Sequence, residues 1–509
     1  MSSDTVSRSF HSTTMITKLA IIHPPTTQAR NSDSKPYQEW VDEAKFQVSK
    51  ALPMAVAGTF RSLTSILEVQ ALGHVGTKTL AGRSLALLVV NLTGYPLMYG
   101  LGGALESLCS QAYTGGRRNK RIGVYVQHSI WMFLVANIFV ALLWLHPSII
   151  FRMLAKTDPE VLKYAETFLT FECLYFPCIV IQGCLKRFLL AQGLMRPTVY
   201  FEFAGLASML LSLQIFVWNP ATAIGFIGVP ISSTIAYATV LLTNAIYIAC
   251  SHCKSEWGRT TAVGFKQNAW HIITLGVPCG ISGVASYGFA DLATIAVAML
   301  GAEELAVQAV LNSSKSAFAR TGSYLGMVVS NRVGNLLGAR DPAKSLLSAK
   351  ISIVMTTAAT GILAVLMLTF QHSFASFVTK DKSLISALVP LIPMLVVVVV
   401  FDMASNVLTG VLRGQGRQGI AAIIRVVALY LLAVPLAYAL CFTAGLGLRG
   451  LWIGLAVGFV TIAAAEAWLV LVTDWHGEVK RSIERVNGTA SAESPAPEAT
   501  PLLHPNRLC

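Results

Sequence analysis

Long apolar runs, separated by short polar and basic stretches, occupy the sequence between residues 50 and 472. Each run is near the length of about 20 residues that an α-helix needs to cross a bilayer. We therefore predict an all-α integral membrane protein with twelve transmembrane helices. The predicted segments, numbered 1 to 12, are 50–72, 80–105, 123–145, 168–190, 199–218, 228–250, 272–300, 305–329, 348–370, 388–412, 420–442 and 450–472.

Segments 2 and 7 are longer than a bilayer requires, which predicts tilt or bending. In segment 2, Gly94 and Pro96 mark a place for a kink, because proline lacks the backbone N–H of a regular helix. The ends of the chain are polar. Residues 37–50 are open to two interpretations, a short interfacial helix or a solvated lead-in to segment 1.

Hydrophobic residues make up 54% of the 509-residue chain and charged residues only 12%. Soluble globular proteins carry about 25% charged residues, so the composition excludes that class. The formal net charge is +13, and the basic residues lie between the apolar runs. This placement favours basic membrane loops over nucleic-acid binding. Seventeen Lys and Arg residues follow even-numbered segments, including Lys186, Arg187, Arg413 and Arg425, and eight follow odd-numbered ones, including Arg83. This asymmetry predicts that both termini are cytoplasmic.

A weak internal repeat relates the two halves of the membrane region. Residues 191–193 (Ala-Gln-Gly) after segment 4 resemble residues 414–416 (Gly-Gln-Gly) after segment 10, and Gly228 and Gly450 open segments 6 and 12. Because six is an even number of crossings, the repeat predicts two six-helix lobes related by a pseudo-two-fold axis along the membrane normal. The predicted regions are a mostly disordered cytoplasmic tail (1–49), an N-lobe (50–252), a cytoplasmic linker (253–269), a C-lobe (270–472) and a disordered cytoplasmic tail (473–509).

Ionisable residues inside the apolar segments are the candidates for chemistry. They are Glu68, Glu106, Glu172, Glu202, Asp291, Asp402 and Glu466, with Arg61, Lys315 and Arg320. A carboxylate in a low dielectric can load and release a proton or pair with an organic cation, and a site that alternates between the two is an exchanger. The alternative is a structural ion pair between helices, which we favour for Glu172 and Glu202.

Lys315 is the most unusual of these residues, because an ammonium group inside a membrane needs a partner. We predict a pair with Asp291 on the preceding segment, since consecutive helices are usually neighbours. Snorkelling of the lysine to an interface is the alternative.

Several functions are excluded by what the sequence lacks. It contains no G-x-x-x-x-G-K-[ST] phosphate-binding loop and no H-E-x-x-H motif, so neither an ATP-driven pump nor a membrane metalloenzyme is predicted. Cys250 and Cys253 have no second C-x-x-C pair to complete a zinc site, and most of the nine cysteines lie in apolar segments as small hydrophobes. The energy for transport must then come from an ion gradient or from the solute itself.

Several motifs resemble the multidrug and toxic compound extrusion (MATE) family, in particular its eukaryotic branch. They are L-A-G-x-S-L-A at 80–86, G-G-A-L-E-S-L-C-S-Q-A-Y at 102–113, G-H-V-G at 73–76, R-F-L-L-A-Q-G-L-M-R-P at 187–197, S-N-R-V-G-N-L-L-G-A-R-D-P at 330–342, G-V-L-R-G-Q-G-R-Q at 410–418 and G-L-W-I-G-L at 450–455. The resemblance implies two lobes facing a central cleft and proton- or sodium-driven export of organic cations or related solutes. It implies no enzyme activity, no cofactor and no metal, with a small organic solute, H+ or Na+ and the bilayer as partners of a monomer.

The resemblance also assigns roles to individual residues. Glu68 and Glu106 occupy acidic positions of the N-lobe, and Asp402 occupies one in the C-lobe. Of two Glu positions that the family commonly has in segment 7, Ser286 stands at the first and Asp291 at the second. Lys315 also departs from the family, and an Asp291–Lys315 pair would favour anionic or zwitterionic solutes. Candidates for lining the cleft are Asn312, Tyr287 and Gln111; Glu106 has the alternative role of orienting the loop at Gln111 and Tyr113.

Three alternatives stay open for function and location. A flippase for lipid-linked carriers has the same fold and would need a cationic cleft, for which Arg61, Lys315 and Arg320 are candidates. A vacuolar importer of anionic or zwitterionic solutes is the second. The third concerns which membrane contains the protein. Glu498, Leu502 and Leu503 fit an acidic dileucine sorting signal, which predicts a vacuole-like membrane instead of the plasma membrane.

Overall fold

The computed structural model describes residues 35–115, 121–146, 158–258, 262–379 and 381–487. Seventeen α-helices make up most of these ranges. They are Lys35–Val75 (α1), Thr77–Thr93 (α2), Tyr95–Gly115 (α3), Arg121–Leu145 (α4), Pro159–Ala191 (α5), Arg196–Leu213 (α6), Gly228–Cys250 (α7), Ala262–Ala298 (α8), Ala302–Gly338 (α9), Pro342–Thr369 (α10), Gln371–Val378 (α11), Lys382–Leu388 (α12), Ile392–Gln415 (α13), Gln418–Val426 (α14), Val434–Tyr438 (α15), Gly447–Leu471 (α16) and Trp475–Asn487 (α17).

All twelve predicted segments lie within helical parts of the chain. Nine of the described helical stretches are long and apolar enough to span a membrane, and the bent pair α2–α3 makes a tenth. The two remaining segments belong to α1 and α9, which are long enough but carry ionisable residues such as Arg61 and Lys315. The predicted kink of segment 2 is confirmed, because α2 and α3 meet at Gly94 with a bend of 45°.

The chain divides into two compact units, Met1–Asp42 and Glu43–Cys509. In the first, the exposed side chain of Gln38 donates a hydrogen bond of 3.2 Å to Asp42. Residues 37–50 are part of α1, so they do not form a separate helix, and the solvated lead-in to segment 1 stays a prediction. In the second unit, Gln47 Nε2 donates to the Ser348 carbonyl at 2.9 Å and Arg332 Nε donates to Glu43 at 2.9 Å, which explains why this polar stretch stays helical.

The second unit contains the two lobes, α1–α7 and α8–α16. One cluster of buried side chains fills the N-lobe, with Phe168, Phe176 and Trp144 at its centre, and two more fill the C-lobe, around Trp452 and around Val411. The glycines of the predicted repeat adopt the same backbone conformation, with φ of 75° at Gly193 and 74° at Gly416. Each ends a helix in the left-handed region, where glycine is least strained.

The lobes contact each other along α3, which packs against α8 and α9; we call these contacts the seam. The backbones approach closely here. A Cβ atom on Gly100 would lie 3.0 Å from the Gly276 carbonyl oxygen, and one on Gly338 would lie 2.4 Å from that of Gln111. The absence of side chains at these positions therefore permits the contact between lobes.

Residues Trp475–Asn487 form helix α17. The prediction that residues 473–509 are disordered is therefore wrong for this part. Asp474 Oδ1 accepts a hydrogen bond of 3.1 Å from the His476 backbone, an N-cap that starts the helix. Its buried residues are Trp475, Glu478, Ser482 and Val486, which recur at helical spacing on one face. The helix packs against α3 of the N-lobe and against α9 and α10 of the C-lobe. Helix α8 begins at Ala262, within the predicted linker.

Candidate functional site

Two carboxylates converge on one guanidinium group in the N-lobe. Arg83 Nε donates to Glu68 Oε1 at 2.8 Å, and Arg83 Nη1 lies 3.8 Å from Glu172 Oε2. All three side chains are at least 88% buried, and the Tyr175 hydroxyl donates a hydrogen bond to Glu172. Glu172 therefore forms the ion pair that the sequence favours and belongs to the same cluster as Glu68. Two carboxylates therefore share one guanidinium group in this cluster, and the Arg61 guanidinium is also electrostatically close to Glu172.

A second group of N-lobe side chains combines cations with aromatic rings. The Arg61 guanidinium lies 4.2 Å from the ring centre of Tyr237, and the rings of Tyr237 and Tyr175 are 5.2 Å apart. Lys186 lies 3.9 Å from Glu202 and 4.3 Å from the ring centre of Tyr324 on α9. Lys186 thus connects an intramembrane carboxylate of the N-lobe to the C-lobe.

The cleft candidate Tyr287 lies at the contact between the lobes. Its hydroxyl is 2.5 Å from that of Tyr99 on α3, and its ring centre is 6.1 Å from that of Tyr95. Asn312, another candidate, is partly buried on α9, three residues before Lys315 and so on the same helical face.

Lys315 pairs with Asp402, and the predicted Asp291–Lys315 pair is wrong. Lys315 Nζ lies 3.8 Å from Asp402 Oδ2 and 5.0 Å from the ring centre of Phe459. Asn406 Nδ2 donates to the other Asp402 oxygen at 3.0 Å. Helix α9 packs along α13, whereas α8 packs along α3, so the nearest partner in sequence is not the nearest in space. Asp291 Oδ2 is buried without a hydrogen-bond partner among the described residues.

A further C-lobe network surrounds Ser286, the residue at the position where the family resemblance implies a carboxylate. Arg425 donates to Ser286 Oγ at 3.2 Å and to Thr409 Oγ1 at 3.3 Å. Thr409 in turn donates to Glu466 at 2.8 Å. Arg425 and Glu466 are both buried, so the carboxylate of this network comes from α16 instead of α8.

Glu106 joins the lobes at the α17 end of the bundle. It is fully buried and lies 3.2 Å from Arg187 Nη2 of its own lobe and 3.2 Å from Arg413 Nη1 of the other. Neither carboxylate oxygen accepts a hydrogen bond of good geometry, so both contacts are electrostatic. Gln111, another candidate for the cleft, is buried, and its Nε2 donates to the Gly414 carbonyl of α13 at 2.8 Å.

Helix α17 adds a second connection at this end. Arg485 Nη1 donates to Gln111 Oε1 at 3.3 Å and to the Gln415 carbonyl at 2.6 Å, so one guanidinium contacts both lobes. Burial lowers the pKa of Arg485, and the nearby Glu478 carboxylate opposes this effect. Glu478 also lies 3.8 Å from Arg417, which fixes α17 to the C-lobe.

Counting charges in loops missed the partners of the intramembrane carboxylates. Arg83, Lys186, Arg187, Arg413 and Arg425 were all assigned to loops, yet each lies on a helix and contacts a buried polar side chain. Their positions within or directly beside the ends of predicted segments were the available signal. The described residues contain no cluster of three or more His, Cys, Asp or Glu able to hold a metal. Glu498, Leu502 and Leu503 lie outside the described residues.

Comparison with known proteins gives the same family throughout. The MatE family model matches residues 53–215 and 278–439, one match in each lobe. Protein DETOXIFICATION 51 of Arabidopsis thaliana is 29% identical over 456 residues, covering 89% of this chain and 85% of that protein. An uncharacterized transporter of Schizosaccharomyces pombe is 28% identical over 436 residues, covering 86% and 80%.

Solved structures agree with these sequence matches. The eukaryotic MATE transporter AtDTX14 superposes with a TM-score of 0.81 at 24% identity, covering 88% of this chain and 100% of that one. The outward-facing conformation of a multidrug resistance MATE family transporter gives 0.76 at 17% identity, covering 88% and 99%. These likenesses confirm the fold of twelve helices in two lobes. The chain belongs to the MatE family and is an integral membrane transporter of the multidrug and toxic compound extrusion type, not an enzyme.

Proposed function

We propose that this protein is a secondary-active antiporter that moves organic solutes across the membrane in exchange for protons by alternating access. The observation that carries the proposal is the convergence of Glu68 and Glu172 on Arg83. Two carboxylates that share one guanidinium inside a membrane are candidates to take up a proton or another cation. The Lys315–Asp402 pair supplies a second ionisable pair in the other lobe.

Alternating access requires the lobes to separate at one end while they meet at the other. The seam, the Glu106 ion pairs and α17 hold them together at the α17 end. Charge counting assigns that end to the cytoplasm. We therefore assign this conformation to the part of the cycle in which solute cannot reach the cytoplasm.

Proteoliposome transport tests the antiport. The full chain is reconstituted, and uptake of a panel of cationic, zwitterionic and anionic solutes is measured under an imposed pH gradient, a sodium gradient or neither. We expect the pH gradient to accelerate uptake of at least one solute over protein-free liposomes. If only the sodium gradient accelerates uptake, the coupling ion is Na+ and not H+. If neither gradient accelerates uptake, antiport is refuted.

The membrane that contains the protein decides the direction of transport. In the plasma membrane the exchange would export solutes, and in a vacuole-like membrane an acidic lumen would drive solutes from cytoplasm to lumen. The sequence Glu498–Leu503 supports the second location, because an acidic dileucine in a cytoplasmic tail fits recognition by sorting adaptors.

A further inference from the structure

Among the described residues, three arginines within the predicted membrane segments form no ion pair with a carboxylate: Arg61, Arg320 and Arg425. Arg425 donates hydrogen bonds to Ser286 and Thr409 instead, which leaves Arg61 and Arg320. Five other basic side chains each lie within 4 Å of a carboxylate: Arg83, Lys186, Arg187, Lys315 and Arg413. Arg61 and Arg320 have no such ion pair with any described residue. Glu202 and Glu172 are electrostatically close to Arg61, but Glu202 already lies against Lys186 and Glu172 against Arg83. A guanidinium left unpaired within a membrane is a candidate binding group for an anion.

Both arginines occupy the middle of their helices and belong to different lobes. Arg320 lies halfway along α9 and is exposed. Exposure to lipid at this depth would be costly, and Arg320 instead interacts electrostatically with Tyr99 and Tyr287 at the contact between the lobes. Arg320 and Tyr324 are one helical turn apart on the same face of α9. The Tyr324 ring packs against Gly58 of α1, one turn before Arg61, and lies 4.3 Å from Lys186, so this face of α9 is turned toward the N-lobe.

Tyrosine rings connect the two arginines. Arg61 stacks on Tyr237 at 4.2 Å. Tyr324 lies one helical turn beyond Arg320 on α9 and is electrostatically coupled to both arginines. Tyr99 and Tyr287, whose hydroxyls are paired, add two further rings to this group of tyrosines. Phenol rings offer flat faces for another ring, while guanidinium groups bind carboxylate, sulfonate or phosphate oxygens in pairs.

We propose that the space between Arg61 and Arg320 binds an aromatic organic anion. Its negative group would be held by the two guanidinium groups and its ring by Tyr237, Tyr287 and Tyr324. The inference rests on the proposed transport function and names the solute class for it. Because the arginines come from different lobes, such a solute would contact both lobes at once and would be released when they separate.

Equilibrium binding to the full chain in detergent tests this site with two matched probes. Benzenesulfonate and trimethylanilinium carry the same ring and permanent charges of opposite sign, so neither titrates with pH. By calorimetry we expect benzenesulfonate to bind at least tenfold more tightly. Arg320→Gln should weaken that binding at least tenfold, Arg320→Lys should retain part of it, and Arg449→Gln, at an exposed arginine outside the cleft, should leave it unchanged.

Three outcomes would overturn the proposal: equal or tighter binding of trimethylanilinium, no binding of benzenesulfonate, or binding that Arg320→Gln leaves intact. A thermal unfolding curve of each variant shows that it is folded. The two proposals fail separately. Gradient-driven uptake without benzenesulfonate binding refutes the anion site alone, and benzenesulfonate binding without gradient-driven uptake of any solute refutes antiport alone.

Discussion

The carboxylate of Glu106 on α3 lies 3.2 Å from the guanidinium of Arg413 on α13, and this buried ion pair joins the two lobes. Arg187 approaches the other carboxylate oxygen at the same distance. One buried negative charge therefore lies between two positive ones. Removing the carboxylate leaves two uncompensated buried cations.

Glu106→Gln should destabilise the protein, because breaking a buried ion pair by removing one partner costs about 3–5 kcal/mol. The measurement is thermal unfolding of the purified protein in detergent, where Tm should fall clearly. Glu160→Gln is the matched control, since Glu160 pairs with Lys78 at an exposed site, and its Tm should match wild type. An unchanged Tm for Glu106→Gln would mean that the ion pairs do not hold the lobes together.

Asp402→Asn should abolish gradient-driven exchange and leave the protein folded. The substitution preserves shape but removes the charge opposite Lys315 and the ability to carry a proton. Uptake into proteoliposomes under a pH gradient is the assay. Asp381→Asn is the control, because Asp381 caps an exposed helix end and asparagine caps equally well. Wild-type exchange by Asp402→Asn would exclude Asp402 from coupling.

Glu68→Gln should alter the pH dependence of transport. The substitution leaves Glu172 as the single carboxylate on Arg83 and removes one of the two proton-binding candidates of the cluster. Transport rates measured across pH should therefore vary less than in wild type, whereas Glu303→Gln, at an exposed position, should reproduce the wild-type profile. An unshifted profile for Glu68→Gln would place proton binding elsewhere.

Arg485→Met should loosen the α17 end of the bundle, because it removes the hydrogen bonds to Gln111 and to the Gln415 carbonyl. Amide hydrogen exchange should rise in residues 107–115 and 412–418. Lys480→Met, on the exposed side of α17, is the control and should leave exchange unchanged. Equal exchange in both variants would show that α17 rests on the bundle without holding it.

A tagged Leu502→Ala/Leu503→Ala variant should move to the cell surface if the dileucine sequence is a working sorting signal. Fluorescence microscopy of wild type and variant in the same cells is the measurement. If both reach the surface equally, the sorting prediction fails.

Apolar length was enough to place all twelve membrane segments, since crossing a bilayer is a requirement of each segment alone. Partners were harder to predict, because they depend on which helices pack together. Neighbourhood in sequence suggested Asp291 for Lys315, but α9 lies along α13 and brings Asp402 instead. Arg187 and Arg413 were assigned to loops for the same reason. The local sequence is the same whether a basic residue in the last turn of a helix faces water or faces Glu106.

The conformation in which the lobes meet along the seam excludes any side chain at the seam glycines. A methyl group at Gly338 would lie 2.4 Å from the Gln111 carbonyl oxygen, a distance that α3 and α9 cannot accommodate while they touch. Alanine at Gly338 is therefore compatible only with separated lobes. A protein of that kind would accept solute from a single face and never deliver it, so one added carbon would turn a carrier into a one-sided receptor.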